Sequence, residues 1–162
     1  MTWLLLLAIV LILGFGFVVA FGPPYLPTMR KQTDVALDML ALSPGQSLLE
    51  LGSGDGRVAL AAARRGLTVV GIELNPFLVV LSRIITWRYR KRVKIIWGNQ
   101  WHVAWPQADG IFTFLLQRQM TRLDEHIKTW HTKPVRLASF AFHIPGKEPA
   151  SKRDGIFLYI YH

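Results

Sequence analysis

The residues best equipped for chemistry are three carboxylates, two of them placed around a glycine turn. The segment Leu48-Leu49-Glu50-Leu51-Gly52-Ser53-Gly54-Asp55-Gly56-Arg57 runs from an apolar stretch through an acid into three alternating glycines. It then opens into Val58-Ala59-Leu60-Ala61-Ala62-Ala63, a helical composition. A turn stripped of side chains lets a ligand touch backbone, so Gly52, Gly54 and Gly56 read as a cradle and Leu51 and Ser53 as its walls. The third acid, Glu73, closes a second apolar run, Val69-Val70-Gly71-Ile72-Glu73-Leu74-Asn75-Pro76. An acid at that place can accept hydrogen bonds from ribose hydroxyls.

The charge around the turn selects among nucleotide-like ligands. A dinucleotide fingerprint requires G-x-G-x-x-G, whereas here the third glycine falls one residue early and Arg57 occupies the expected glycine position. The Walker A lysine is absent as well. Glu50 and Asp55 would repel a pyrophosphate, but they suit a ligand with a cationic amino-acid end and a sulfonium. The pattern therefore points to S-adenosylmethionine, with a degenerate or NAD-type site as the alternative.

An alternation of elements must hold these residues. Ser47–Leu51 reads as a strand, Gly56–Arg65 as a helix, Thr68–Ile72 as a strand and Pro76–Tyr89 as a helix with proline in its first turn. Val93–Trp97 and Gly110–Leu115 follow as strands, then Met120–Trp130 as an amphipathic helix. Val135–Phe142 and Ile156–Tyr161 finish as strands joined by a polar loop, Pro145–Asp154. Upstream, Thr33 or Asp34 is the candidate cap of a helix ending at Leu42. The expected fold is α/β: a Rossmann-like, mostly parallel sheet with helices on both faces and an antiparallel hairpin at one edge.

The chain has 162 residues, room for one domain, and 51% of them are hydrophobic. Much of that excess lies between Trp3 and Phe21, which carry no charge. As a helix this stretch would reach roughly 28 Å, close to the thickness of a bilayer's hydrocarbon core. We therefore expect a single transmembrane anchor in residues 1–22, a linker and helix in 23–45, and the ligand-binding domain in 46–162. Val18-Val19-Ala20 is compatible with a cleavage site, which leaves a cleaved signal peptide as the alternative. Arg30 and Lys31 follow the apolar run, so the positive-inside rule places the domain on the cytoplasmic, or matrix-equivalent, side.

The formal net charge is +9. Its densest cluster is Arg83, Arg88, Arg90, Lys91, Arg92 and Lys94, which reads as a solvated surface or as a contact with anionic lipid headgroups. Trp87 and Tyr89 among these charges would also suit nucleic acid, but a membrane tether argues against that partner. There is no cysteine, which rules out thiolate nucleophiles, disulfides and cysteine-ligated metals. His102, His126, His131, His143 and His162 show no metal-ligand spacing, so no metal is expected.

Over residues 46–162 the chain resembles the seven-β-strand class I methyltransferases. Several features together resemble one branch of them: the apolar N-terminus, Tyr25-Leu26-Pro27-Thr28, the glycine turn, and Glu73-Leu74-Asn75-Pro76 followed by Leu81-Ser82-Arg83. That branch comprises the membrane-anchored protein-lysine methyltransferases of the ATP synthase c subunit and the ADP/ATP translocase, with their prokaryotic relatives. The resemblance implies S-adenosylmethionine held by Glu50 to Gly56, by Glu73, Leu74 and Asn75, and by Asn99 and Gln100. It implies a lysine of a membrane protein as acceptor. The family's Asp-x-Trp motif reads Asn99-Gln100-Trp101 here, and the Asn99 side-chain oxygen can still accept from an adenine amino group.

Tyr25, Thr28, Asn99 and Trp101 are the candidates to line the amine pocket, aromatic and acceptor groups suited to a cation or amine. Ordinary packing is an equal reading for Tyr25 and Trp101, and His143 reads as a polar residue at a strand end rather than a base. Amino-methylating DNA enzymes carry Asp/Asn-Pro-Pro-Tyr after the fourth strand, where this chain has Leu115-Leu116-Gln117. Cytosine C5 chemistry needs a cysteine. Proteins, lipids or small molecules remain as acceptors, and a non-catalytic cofactor-binding membrane module remains as the alternative to an enzyme.

Overall fold

The computed structural model describes residues 2–6, 9 and 27–162. Residues 2–6 and 9 are helical, and Trp3 to Leu6 and Ile9 are exposed. Among the described residues no helix is long and apolar enough to cross a membrane. Most of the anchor expected over Trp3–Phe21, and the linker segment with Tyr25, lie outside them.

Seven strands form one sheet: β1 (Ser47–Leu51), β2 (Thr68–Glu73), β3 (Val93–Trp97), β4 (Gly110–Thr113), β5 (Val135–Phe140), β6 (Ser151–Arg153) and β7 (Ile156–Tyr161). Their order is β3-β2-β1-β4-β5-β7-β6. The first five are parallel, and β7 runs antiparallel between β5 and β6. The strand order reverses at β1, so the crevice beside its carboxyl end is the natural ligand position.

Strand alternation divides the core in two. Leu48, Val69, Ile95, Phe112 and Ala138 pack beneath α1 (Arg30–Leu40), α2 (Arg57–Arg64) and α3 (Pro76–Ile85). Leu49, Leu51, Ile111 and Leu137 face the other way, onto Leu123 and Ile127 of α4 (Met120–Trp130). Among the described residues this second face is covered by that one α-helix. Trp105 in the loop between β3 and β4 and Ile144 in the segment between β5 and β6 complete its cover.

Several boundaries differ from the sequence-based expectation. Neither Thr33 nor Asp34 caps α1, which starts at Arg30 after Met29. The buried Thr33 hydroxyl donates to the Met29 carbonyl inside the first turn, and Asp34 pairs with Arg65 instead. α1 ends at Leu40, because Ala41 adopts φ 47° and donates its N–H back to Leu37 and Asp38. α3 ends at Ile85 and gives way to a 3₁₀ turn over Trp87–Tyr89. The polar stretch 145–154 is not all loop: Ser151–Arg153 pairs with β7 through a two-residue turn at Asp154 and Gly155, both at positive φ. The antiparallel edge hairpin is therefore β6–β7, with β7 lying inside the sheet.

Candidate functional site

The glycine turn connects β1 to α2, and each glycine has its own physical reason. Gly52 has φ 74°, is exposed, and a Cβ built there would meet nothing within 4 Å, so its backbone is bare toward the crevice. Gly54 has φ 54°. Gly56 has φ 82° and caps α2, and a Cβ there would come within 2.8 Å of the Ser82 Cβ on α3. Its absence of side chain is thus a packing requirement as well. Gly71 of β2 plays a matching role, since a Cβ on it would meet the Ser53 Cβ at 2.8 Å.

Strand β2 pins the turn in place. The N–H groups of Gly52 and Ser53 donate to the Ile72 carbonyl at 2.9 and 3.0 Å. Glu73 then reaches across from the end of β2: one carboxylate oxygen accepts from Gly54 N–H and the other from Asn75 N–H, both at 2.8 Å. The same side chain that could take ribose hydroxyls thus also sets the shape of the turn.

Glu50 stands out among the carboxylates. It is buried within β1, and its Oε2 has no hydrogen-bond partner. Burial pushes its carboxyl well above the ordinary value, and the charges of Asp55 and Glu73 push it further, against the opposing pull of the Ala59 backbone N–H. An unpartnered buried acid between two other acids is costly unless a cation comes to it. The site therefore fits a ligand carrying positive charge and hydroxyls, as S-adenosylmethionine does. Asp55 has a partner within the turn: its carboxylate chelates Arg57 at 2.7 to 3.1 Å and accepts the Arg57 N–H at 3.2 Å. Its charge is already matched by that neighbour, which leaves Glu50 as the acid awaiting a cation.

The other expected contacts are partly committed to the protein itself. The Leu74 carbonyl accepts from the Trp97 indole at 3.0 Å. Asn75 caps α3, its side-chain oxygen accepting from Phe77 at 2.9 Å and Leu78 at 3.5 Å. The Gln100 carbonyl accepts from the Trp105 indole at 2.6 Å. Asn99 accepts the Trp101 N–H at 3.0 Å, which leaves its amide N–H groups and one lone pair for a base.

Thr28 is buried near the start of α2, where its carbonyl accepts from Arg57 at 3.4 Å. Trp101 belongs to the opposite face. Its ring lies 6.4 Å from Trp105 and 6.0 Å from His126, with the Arg122 guanidinium 4.6 Å above it. Among the described residues no hydrogen bond or ring contact joins Thr28 to Asn99 or Trp101. The Trp101 ring is thus packed against Trp105 and His126 beneath the Arg122 guanidinium, and Tyr25 lies outside the described residues. His143 sits beyond β5, with its carbonyl accepting from Gln117 and its ring 6.1 Å from Phe157.

Two polar groups near the end of β4 escaped the sequence reading. Thr113, paired in register with Leu51, buries a hydroxyl that has no partner, and Gln119 buries an unpartnered amide oxygen. The rule that open α/β sheets bind at strand carboxyl ends could have flagged Thr113. Among the described residues no histidine and acid cluster could hold a metal ion.

The strand order, the glycine turn and the acid ending β2 define the class I methyltransferase fold. A solved RNA methyltransferase from Salinibacter ruber, in complex with S-adenosyl-L-homocysteine, superposes with a TM-score of 0.77 at 25% identity, covering 84% of this chain and 92% of that one. The sequence model of the ANTKMT methyltransferase domain matches residues 50–151, and the chain belongs to that family of S-adenosylmethionine-dependent methyltransferases. It is 34% identical to the human lysine N-methyltransferase of the ATP synthase c subunit over 78% of this chain. It is 30% identical to the mouse adenine nucleotide translocase lysine N-methyltransferase over 86% of this chain. The chain spans 54% and 63% of the lengths of those two relatives.

Proposed function

We propose that this chain transfers a methyl group from S-adenosylmethionine to the side-chain amine of a lysine in a membrane protein. The observation that carries the reading is Glu50, a buried carboxylate with an unpartnered oxygen beside the glycine turn that Glu73 holds in place. The acceptor class is supported by the names of the human and mouse relatives, both lysine methyltransferases.

S-adenosylmethionine supplies an electrophilic methyl carbon on a cationic sulfur. The protein's task is to hold that cation and to bring a neutral amine on axis, about 3–3.5 Å from the carbon. Glu50 offers the charge, the bare Gly52 backbone offers close approach, and Glu73 offers hydroxyl acceptors. Asn99 is the candidate for the adenine edge. Among the described residues Thr28, whose carbonyl accepts from Arg57, and the unpartnered oxygens of Thr113 at the end of β4 and Gln119 in the turn before α4 are candidates to line the amine's path. Desolvation of a lysine entering this crevice favours its neutral form. The nitrogen–carbon bond forms as the carbon–sulfur bond breaks, and the amine gives up one proton.

The uncharged run Trp3–Phe21 would anchor the chain in a bilayer, with the domain on the side that retains positive charge, and the cations from Arg83 to Lys94 would meet anionic headgroups. The test is to incubate the full chain with methyl-labelled cofactor and whole membranes, then to separate protein, lipid extract and nucleic acid. Label on lysine in the protein fraction is expected. Label confined to the lipid extract or to nucleic acid would overturn the acceptor, and no transfer at all would overturn the enzyme.

A further inference from the structure

Helix α3 is built inside out. The residues it buries are Val79 and Ser82, followed by Thr86 just past its end, while its large apolar side chains face solvent. The buried hydroxyls are satisfied locally: Ser82 donates to the Val79 carbonyl at 2.9 Å and Thr86 to the Ser82 carbonyl at 2.7 Å. Small residues are needed there because α2 approaches closely, with Gly56 against Ser82. Phe77, Val80, Leu81 and Ile84, at spacings of three and four, form one outward stripe. Val80 is 57% exposed and Ile84 66%. Two tryptophans extend the patch, Trp87 at 63% and Trp97 at 62% exposure.

A monomeric domain rarely leaves so continuous an apolar surface to water. The surrounding charge identifies what covers it. Between Glu73 and Asp109 the sequence has no acid, and Arg88, Arg90 and Lys91, which follow α3 directly, are all exposed. A second copy meeting this face about a two-fold axis would oppose the same cations to one another. Apolar side chains, tryptophans at the margin and uncompensated cations are instead the composition that enters the headgroup region of an anionic bilayer.

We propose that the outward face of α3, with Trp87 and Trp97, is a second membrane contact that lays the β3 edge of the domain on an anionic bilayer surface. It fixes orientation, which a tether alone does not. Asn75 caps α3 and Trp97 bonds to Leu74, so one end of the contact lies beside Glu73 and the ligand crevice. A membrane-embedded acceptor would then meet the crevice at the bilayer surface. The inference rests on the membrane association proposed above but not on the methyl acceptor.

The cysteine-free sequence makes the test clean. Single cysteines replace Val80, Ile84 or Ser151 in the full chain, and each carries an environment-sensitive fluorophore. Ser151 is exposed on β6, at the far edge of the sheet. The chains are reconstituted into vesicles of phosphatidylcholine with phosphatidylglycerol, and into phosphatidylcholine alone. In the anionic vesicles we expect blue-shifted emission and at least about twofold stronger quenching by spin-labelled lipid at positions 80 and 84 than at 151. Vesicle-bound chains whose labels at 80 and 84 quench like the label at 151 would overturn the inference and leave the anchor standing. Chains that fail to bind vesicles would overturn both. Blue-shifted emission at 80 and 84 without quenching by spin-labelled lipid would mean that a second copy or the chain's own N-terminal segment covers the stripe, and would also overturn it.

Discussion

Glu50 is the residue on which the cofactor reading turns, and its protonation has a measurable consequence. Its carboxyl holds a proton more tightly in the folded chain than its ordinary value near 4.5 allows, through burial first and the neighbouring acids second. The contribution of Glu50 to the stability of the ligand-free fold is therefore fully present below that unfolded value and is lost as the pH climbs through the raised folded one. We expect the thermal midpoint of the ligand-free wild type to fall relative to that of Glu50→Gln as the pH rises above the ordinary value of 4.5. At neutral pH the substitution should stabilise the empty protein yet weaken S-adenosylmethionine binding about tenfold or more, the scale of one charged hydrogen bond. Thermal scans with and without cofactor across that range check both effects. A wild type and variant with parallel pH profiles would contradict the assignment of Glu50. Much at this scale was legible in sequence, since Glu50, Glu73 and the bare Gly52 lie at the strand ends and turn that the motif placed. The pairing of Asp55 with Arg57, only two residues on, was not, because a fingerprint of glycines does not encode it. Trp101 turned to α4 because a loop, not a helix, crosses that face between β3 and β4.

At the scale of elements, one carboxylate fastens the segment between β5 and β6 to α4. Asp124 accepts from the Tyr161 hydroxyl at 2.6 Å and from Lys147 at 3.0 Å, and pairs with Lys128 one turn along the helix. Burial acts to raise its carboxyl, but the hydrogen bonds from Lys128, Tyr161 and Lys147 outweigh it and hold the group below its ordinary value. That stability is present above the unfolded value of 3.8 and is lost as the pH falls through the folded one. Asp124→Ala should cost about 2 kcal/mol at neutral pH, because it strands a buried phenol and a half-buried lysine. Denaturant titration would measure it, and the gap from wild type should narrow as the solution becomes strongly acidic. Other elements show where sequence patterning carries and where it stops. β1, β3, β7 and α4 have the boundaries that apolar periodicity sets. β6 was hidden because its three residues are all polar and exposed; only Asp154-Gly155 signalled the hairpin. The apolar stripe of α3 is visible in the sequence, but a pattern does not say which way a stripe faces.

At the scale of the whole molecule, seven strands and four helices form the sheet domain within residues 27–162, where loops stand in for helices on one face of the sheet. This economy puts the ligand crevice at the carboxyl end of β1, near both the start of α3 and the end of β4. Alternation of apolar runs made the α/β class legible, but the inward placement of β7 was not, since strand order depends on long-range pairing. The central claim is that S-adenosylmethionine binds in this crevice through Glu50, Glu73 and the glycine turn. Calorimetric titration of the full chain with the cofactor tests it most directly, alongside Glu73→Ala and Gly54→Val. The account predicts saturable binding by the wild type that S-adenosylhomocysteine competes away, with binding lost in both variants while their circular dichroism stays that of the folded chain. Unchanged affinity in a folded Glu73→Ala variant would contradict it.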